Sequence, residues 1–138
     1  MTIRPAHAGE AGAVIGLWYL CGLTRPWNDP VQDFARALEG ESSTILVAEG
    51  ENGEIPGSAM VGDDGHRGWV YYLAVAPAAR RTGLGRALMT AAEDWLRARG
   101  CPKVQLMVRA DNEAAVGFYE MLGLERQGVV TLGRFLND

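Results

Sequence analysis

One stretch limits what this chain can fold into more than any other: "WVYYLAVAPAARRTGLGRALM", in which an apolar run feeds a glycine-rich turn that opens a helix. The run from Trp69 to Val75 is too uniformly apolar for a strand wetted on one face, so it predicts a central strand covered on both sides. From Leu84 onward, Leu84, Ala87, Leu88, Ala91, Trp95 and Leu96 keep helical period. Gly100 and Pro102 stop that helix, with Arg97 and Arg99 in its last turn. Between strand and helix, unpaired N–H groups point outward and the helix dipole adds about half a positive charge, which together make an anion site. Gly83 and Gly85 permit close approach of an anion, and Arg80, Arg81 and Arg86 add guanidinium groups that match phosphate oxygens. A Gly-x-Gly pair alone fits a plain turn with solvated arginines somewhat better than an anion site.

Two phosphate motifs fail on the residues present. A nucleoside-triphosphate loop needs Lys-Ser/Thr after its last glycine, where Arg86 and Ala87 stand. The dinucleotide fingerprint needs a third glycine where Leu88 stands and an acid about twenty residues later, where Lys103-Val104-Gln105 lies.

The remaining punctuation gives the element order. "TIRPA" reads as an edge strand, since Pro5 lacks a ladder donor. Val14, Leu17, Trp18 and Cys21 predict an amphipathic helix over 9–22, and Asp29-Pro30 opens a second helix reaching Leu38. "STILVAEG" and "IPGSAMVG" are strands joined around Asn52 and Gly53. "KVQLMV" is a further strand, and "NEAAVGFYEMLG" is a helix capped by Asn112 and ended by Gly123. Two last strands are expected around "LERQGVV" and "TLGRFL". The order β-α-α-β-β-β-α-β-α-β-β predicts an α/β mixed sheet with helices on both faces.

At 138 residues the whole chain, 1–138, is expected to form a single domain. A net charge of −4 offers nucleic acid or an anionic membrane no general attraction, so any anion site must be local. Cys21 and Cys101 have no clustered partners, which predicts reduced thiols and no metal site. The start "MTIRPAHAGE" lacks a signal-peptide core and the longest apolar run is far short of the ~20 residues of a membrane span, so a cytoplasmic protein is expected.

The segment "LAVAPAARRTGLGRALM" resembles the acetyl-CoA motif of the GCN5-related N-acetyltransferases (GNAT family), whose core Arg/Gln-x-x-Gly-x-Gly/Ala corresponds to Arg80, Gly83 and Gly85. "NEAAVGFYEMLGL" resembles the family's second motif, in which an Asn opens a helix and a Tyr precedes a Leu-Gly pair. Both motifs stand in the family's order, and the element order above is similar to the family's along essentially the whole chain. Residues 17–30 and "DGHRG" are further similar to the bacterial YpeA-like subgroup.

The resemblance implies about seven mostly antiparallel strands with a central parallel pair splayed apart. It implies that acetyl-CoA is the co-substrate, that Leu73 and Val75 lend main-chain groups to its pantetheine arm, and that Asn112 touches that arm. The amides of Arg81, Thr82, Gly83, Leu84, Gly85 and Arg86 would take the diphosphate, the strands at 69–75 and 103–108 would admit the arm, and Tyr119 would protonate the leaving thiolate. Attack of an amine on a thioester also needs a base and an oxyanion donor, the latter implied at a main-chain N–H near Leu73.

Where some family members carry a glutamate base, this chain has Trp69 and Met107. Asp63, Asp64 and His66 before the central strand, and Trp27, Asn28 and Asp29 after the first helix, are acceptor-side candidates by location; turn and cap roles suit the same residue types. A water chain could equally serve as base. The acceptor implied is a primary amine of a small molecule or protein, with a monomer or homodimer and neither nucleic acid nor membrane as partner. A non-catalytic acyl-CoA-binding module of the same fold is the alternative.

Overall fold

A computed structural model describes residues 1–137. The chain divides into two compact units, Met1–Met107 and Val108–Asp138. The first carries strand β1 (Thr2–Pro5), helices α1 (Ala11–Leu20) and α2 (Pro30–Glu39), strands β2 (Ser43–Glu49), β3 (Gly57–Asp63) and β4 (Gly68–Val75), helix α3 (Leu84–Ala98) and the short strand β5 (Val104–Gln105). These strands form one sheet in chain order, antiparallel through β4 and parallel between β4 and β5.

Alternation along the strands sorts the core into two layers. Ile45 and Val47 of β2 join Val14, Leu17 and Trp18 of α1 and Phe34 and Ala37 of α2 in one buried cluster. On the opposite face, Leu84, Leu88, Met89, Ala92 and Leu96 of α3 are buried. Close seating of α3 depends on a missing side chain: a Cβ on Gly68 would lie 2.5 Å from Leu96 Cδ1. α2 starts where the sequence predicts, with Asp29 Oδ1 accepting the Gln32 N–H at 3.1 Å and Pro30 in the first turn.

Arg4 ties β1 into this frame. Its guanidinium donates to both carboxylate oxygens of Glu10, at 2.9 and 2.8 Å, and to Glu49 of β2 at 2.8 Å. Glu10 Oε1 also accepts the His7 N–H at 2.8 Å. The Arg4 bond, aided by that N–H, holds the Glu10 carboxyl down at about 2 against an ordinary 4.5. A carboxyl lowered on folding stabilises above its unfolded value, and that stability is lost as pH falls through the folded one. The stability difference between the wild type and Glu10→Gln should therefore be full above pH 4.5 and vanish toward about pH 2, as measured by denaturant titration across that window.

Two expectations change. The strand predicted over 103–108 is only two residues long, because β4 and β5 pair at Gly68–Val104 and Trp69–Gln105 and no further. The last two predicted strands are not formed: among the described residues after Met121 there is no strand, so the sheet has five strands where about seven are expected. Alternating apolar residues supply strand propensity, but a strand exists only where a ladder partner meets it. Among the described residues of the second unit, the regular element is helix α4 (Glu113–Met121).

Candidate active site

Between β4 and α3 the chain makes a short 3₁₀ turn at Pro77–Ala79 and then two left-handed residues, Arg81 at φ 64° and Gly83 at φ 84°. Local bonds fix this path: Thr82 Oγ1 donates to the Ala79 carbonyl at 2.6 Å and Arg80 Nε to the Val75 carbonyl at 3.2 Å. The first helical bond comes from Ala87 N–H to Gly83 O, at 3.0 Å. Among the described residues, the six amides from Arg81 to Arg86 donate to no acceptor in the chain. Arg81 and Arg86 are exposed, and their guanidinium groups also lack a chain acceptor. Six free N–H groups at a helix N-terminus, flanked by two free arginines, suit a diphosphate. Space beside Gly83 is open, with nothing within 4 Å of where a Cβ would stand.

This turn lies at the end of a strand that is unpaired on one side. β4 runs to Val75 but meets β5 only at Gly68 and Trp69, so from Val70 onward its β5 side has no strand partner among the described residues. Ala76 N–H crosses to Pro56 O at 2.8 Å on the β3 side, so the main chain of Val75 faces the other way. Consistent with this, the Val75 carbonyl accepts from Cys21 Sγ at 3.3 Å and from Arg80, neither of them on β3. Leu73 lies two residues earlier, beside a bulge in β4. A strand edge with no strand partner, its Val75 carbonyl already taken by Cys21 and Arg80, thus leads to the anion cradle.

On the sheet face opposite Gly68 and Val70, the Trp69 and Tyr71 rings stack with centroids 6.4 Å apart. Trp69 Nε1 donates to Asp64 Oδ2 at 3.0 Å, while Asp64 Oδ1 accepts the His66 and Arg67 N–H groups at 2.9 and 2.7 Å. The main-chain bonds from Arg67 and His66, then the Trp69 bond, hold the Asp64 carboxyl below its usual range. Thus Asp64, Trp69 and Tyr71 form one group with a fixed negative charge.

The other acceptor-side candidates have local duties. Asp63 Oδ1 accepts the Gly65 N–H at 2.8 Å, Asp29 caps α2, and Asn28 N–H closes a turn on Arg25 O at 3.0 Å. His66 Nδ1 lies 3.5 Å from Arg67, and the Trp27 ring is exposed.

In the second unit, Asn112 Oδ1 caps α4 by accepting the Ala115 N–H at 3.1 Å. The helix ends as the sequence predicts, with Gly123 at φ 93° and N–H bonds from Gly123 to Glu120 O and from Leu124 to Tyr119 O, a Schellman closure. Tyr119 sits edge-on to Phe118, ring centroids 5.1 Å apart, and its hydroxyl has no partner among the described residues. Burial pushes its phenol up to about 12. What sequence reading misses is the bulge in β4 and the contacts Tyr72 makes there; no local signal announces a left-handed tyrosine.

The first unit thus holds a mixed sheet whose parallel pair parts after two residues, with a cradle of free amides at the N-terminus of α3. The sequence matches the acetyltransferase (GNAT) family over residues 14–124, and the chain belongs to that family. It is 51% identical to an acetyltransferase of Pectobacterium atrosepticum over 136 residues, covering 99% of this chain and 96% of that protein. It is 48% identical to an acetyltransferase of Yersinia pestis, again over 99% and 96% of the two chains. Its fold is similar to that of the aminoglycoside N-acetyltransferase AAC(6')-Iy solved with CoA, with a TM-score of 0.84 at 19% identity over 99% and 95% of the two chains. The protein is an acetyl-CoA-dependent acetyltransferase. The non-catalytic alternative thereby gives way to the enzyme.

Proposed function

We propose that this enzyme moves an acetyl group from acetyl-CoA to a primary amine of a cationic small molecule or protein, by direct attack of the amine on the thioester. The observation that carries the reading is the run of six unbonded amides, Arg81 to Arg86, at the end of a strand whose edge is open. Those amides would hold the diphosphate with Arg81 and Arg86, while Leu73 and Val75 would bond the pantetheine arm and Asn112 would touch it. Acetyl-CoA supplies an acetyl group already activated as a thioester.

The Leu73 N–H would stabilise the negative charge that develops on the acyl oxygen, and Tyr119 would donate its proton toward the leaving sulfur. With its phenol at about 12, Tyr119 keeps that proton at every physiological pH. The general base is left to water, since Trp69 and Met107 stand where a carboxylate would serve and both Asp64 oxygens are engaged.

A cationic acceptor is supported by the stacked Trp69 and Tyr71 rings beside the ionised Asp64, an arrangement that attracts an ammonium through its charge and ring faces. Trp27, Asn28, Asp29, Asp63 and His66 would contribute the rest of the acceptor side. The aminoglycoside N-acetyltransferase of similar fold further supports an amine acceptor. The family match runs across both compact units, which supports a single acetyltransferase domain over residues 1–138. Membership of the YpeA-like subgroup, a cytoplasmic location, and a monomer or homodimer without nucleic-acid or membrane partners complete the proposal.

The test is release of free CoA from acetyl-CoA with a panel of mono- and polyamines and lysine peptides. Turnover should appear with cationic amines and weaken when Asp64 is replaced by Asn. Turnover with alcohols or thiols alone would sink the amine reading.

A further inference from the structure

The register of β3 against β4 slips by one residue. Ser58 faces Ala74 and Met60 faces Tyr71, which leaves Ala59 opposite both Tyr72 and Leu73. Tyr72 takes up the extra residue with φ at 51°. Left-handed backbone is costly for a bulky side chain and persists where its surroundings over-determine it. Here three residues from three elements supply that constraint.

Trp18 of α1 is fully buried and stacks on the Tyr72 ring with centroids 4.0 Å apart and planes 10° from parallel. Its indole N–H donates to Ser58 Oγ at 3.3 Å, on β3 at the edge of the slip. Tyr72 Oη donates to Asp33 Oδ2 at 2.8 Å, from the first turn of α2, where the helix dipole favours a carboxylate. Burial and the Asp33 bond push the Tyr72 phenol well above its ordinary value, so the hydroxyl stays a donor. A packing role needs only the ring; the hydroxyl bond reaches a second helix.

We propose that Asp33 and Tyr72, with Trp18 behind the ring, clamp the bulge of β4 and so set the direction of the Leu73 main-chain N–H, which makes Asp33 and Tyr72 positioning residues for acyl transfer. This rests on the reading that places the acyl oxygen at Leu73. Tyr72 precedes Leu73 directly, so any rotation of the bulge turns the peptide between them. The diphosphate cradle begins at Arg81, beyond the end of β4, and does not depend on the clamp. A loosened bulge should therefore lower kcat far more than it weakens cofactor binding, which loses at most the Leu73 contact to the pantetheine arm.

The experiment compares wild type, Tyr72→Phe, Asp33→Ala, Asp33→Asn and the double variant Tyr72→Phe/Asp33→Ala. It reads kcat, KM for acetyl-CoA, CoA affinity by calorimetry, and the ¹⁵N–¹H shift of the Leu73 amide on adding acetyl-CoA. Tyr72→Phe keeps the stack and should lower kcat about tenfold, a fraction of the ~100- to 1000-fold cost of deleting an oxyanion donor outright. KM and CoA affinity should shift by clearly less than kcat, since the diphosphate contacts are kept. Asp33→Ala should match it, the double variant should be no worse than either single one, and Asp33→Asn, which still accepts from the hydroxyl, should recover most of kcat. If the Leu73 amide responds to acetyl-CoA in wild type and both that response and kcat are unchanged in Tyr72→Phe, the clamp is overturned while the site stands. If the Leu73 amide does not respond in wild type, the reading of the site falls and the clamp with it.

Discussion

Replacing Gly83 with valine is expected to weaken CoA binding by more than tenfold, the largest single-residue loss of affinity in the protein. Gly83 sits among the six free amides, and the space its Cβ would fill is open, which in the proposed function is the approach a phosphate would take to the main chain. Valine obstructs that approach and is also strained at φ 84°. Strain and obstruction separate by adding Gly83→Asn, since asparagine tolerates left-handed backbone but still projects a side chain into the space. Calorimetric titration with CoA should show weak binding in both variants, and the melting temperature without cofactor should fall in the valine variant more than in the asparagine one. Wild-type affinity in a folded Gly83→Val protein would remove the cradle from the mechanism.

Removing the Tyr119 hydroxyl should have the largest effect on turnover. Tyr119→Phe is expected to lower kcat by about 100-fold or more, the usual scale for losing a positioned proton donor, with CoA affinity within about twofold. The pH profile gives a second readout. A donor must be protonated to act, and the Tyr119 phenol stays protonated until pH approaches about 12. Turnover should therefore rise with pH as the acceptor ammonium loses its proton, with no descending limb from this tyrosine below about pH 11. A descending limb near pH 9 that disappears in Tyr119→Phe would contradict the burial that raises its phenol.

The charge at Asp64 rests on geometry that is local in the chain. Asp64 gathers His66, Arg67 and Trp69 within five residues, so its own loop holds the carboxylate ionised. The same economy shows in the Asp29 and Asn112 caps, each set by a side chain accepting from the N–H three residues on. Asp29 therefore both opens α2 and helps place Asp33 in its first turn, which links the cap to the clamp.

By itself the sequence determined the order of the elements as far as α4, the caps and stops of the helices, and the amide cradle between Arg80 and Arg86. Each of those is an interaction over a few residues, set by a glycine able to take positive φ, a proline with fixed φ, or a side chain within reach of the next turn. Only the tertiary structure decided that β5 would leave β4 after two residues, that the expected C-terminal strands would not form, and that Tyr72 would turn inward at a bulge. Those outcomes depend on pairing between residues far apart in the chain, such as Trp18 with Ser58 and Asp33 with Tyr72, 40 and 39 positions apart. A strand's register is chosen by its partner and not by its own residues, so nothing in "WVYYLAV" alone could say which tyrosine would face the core.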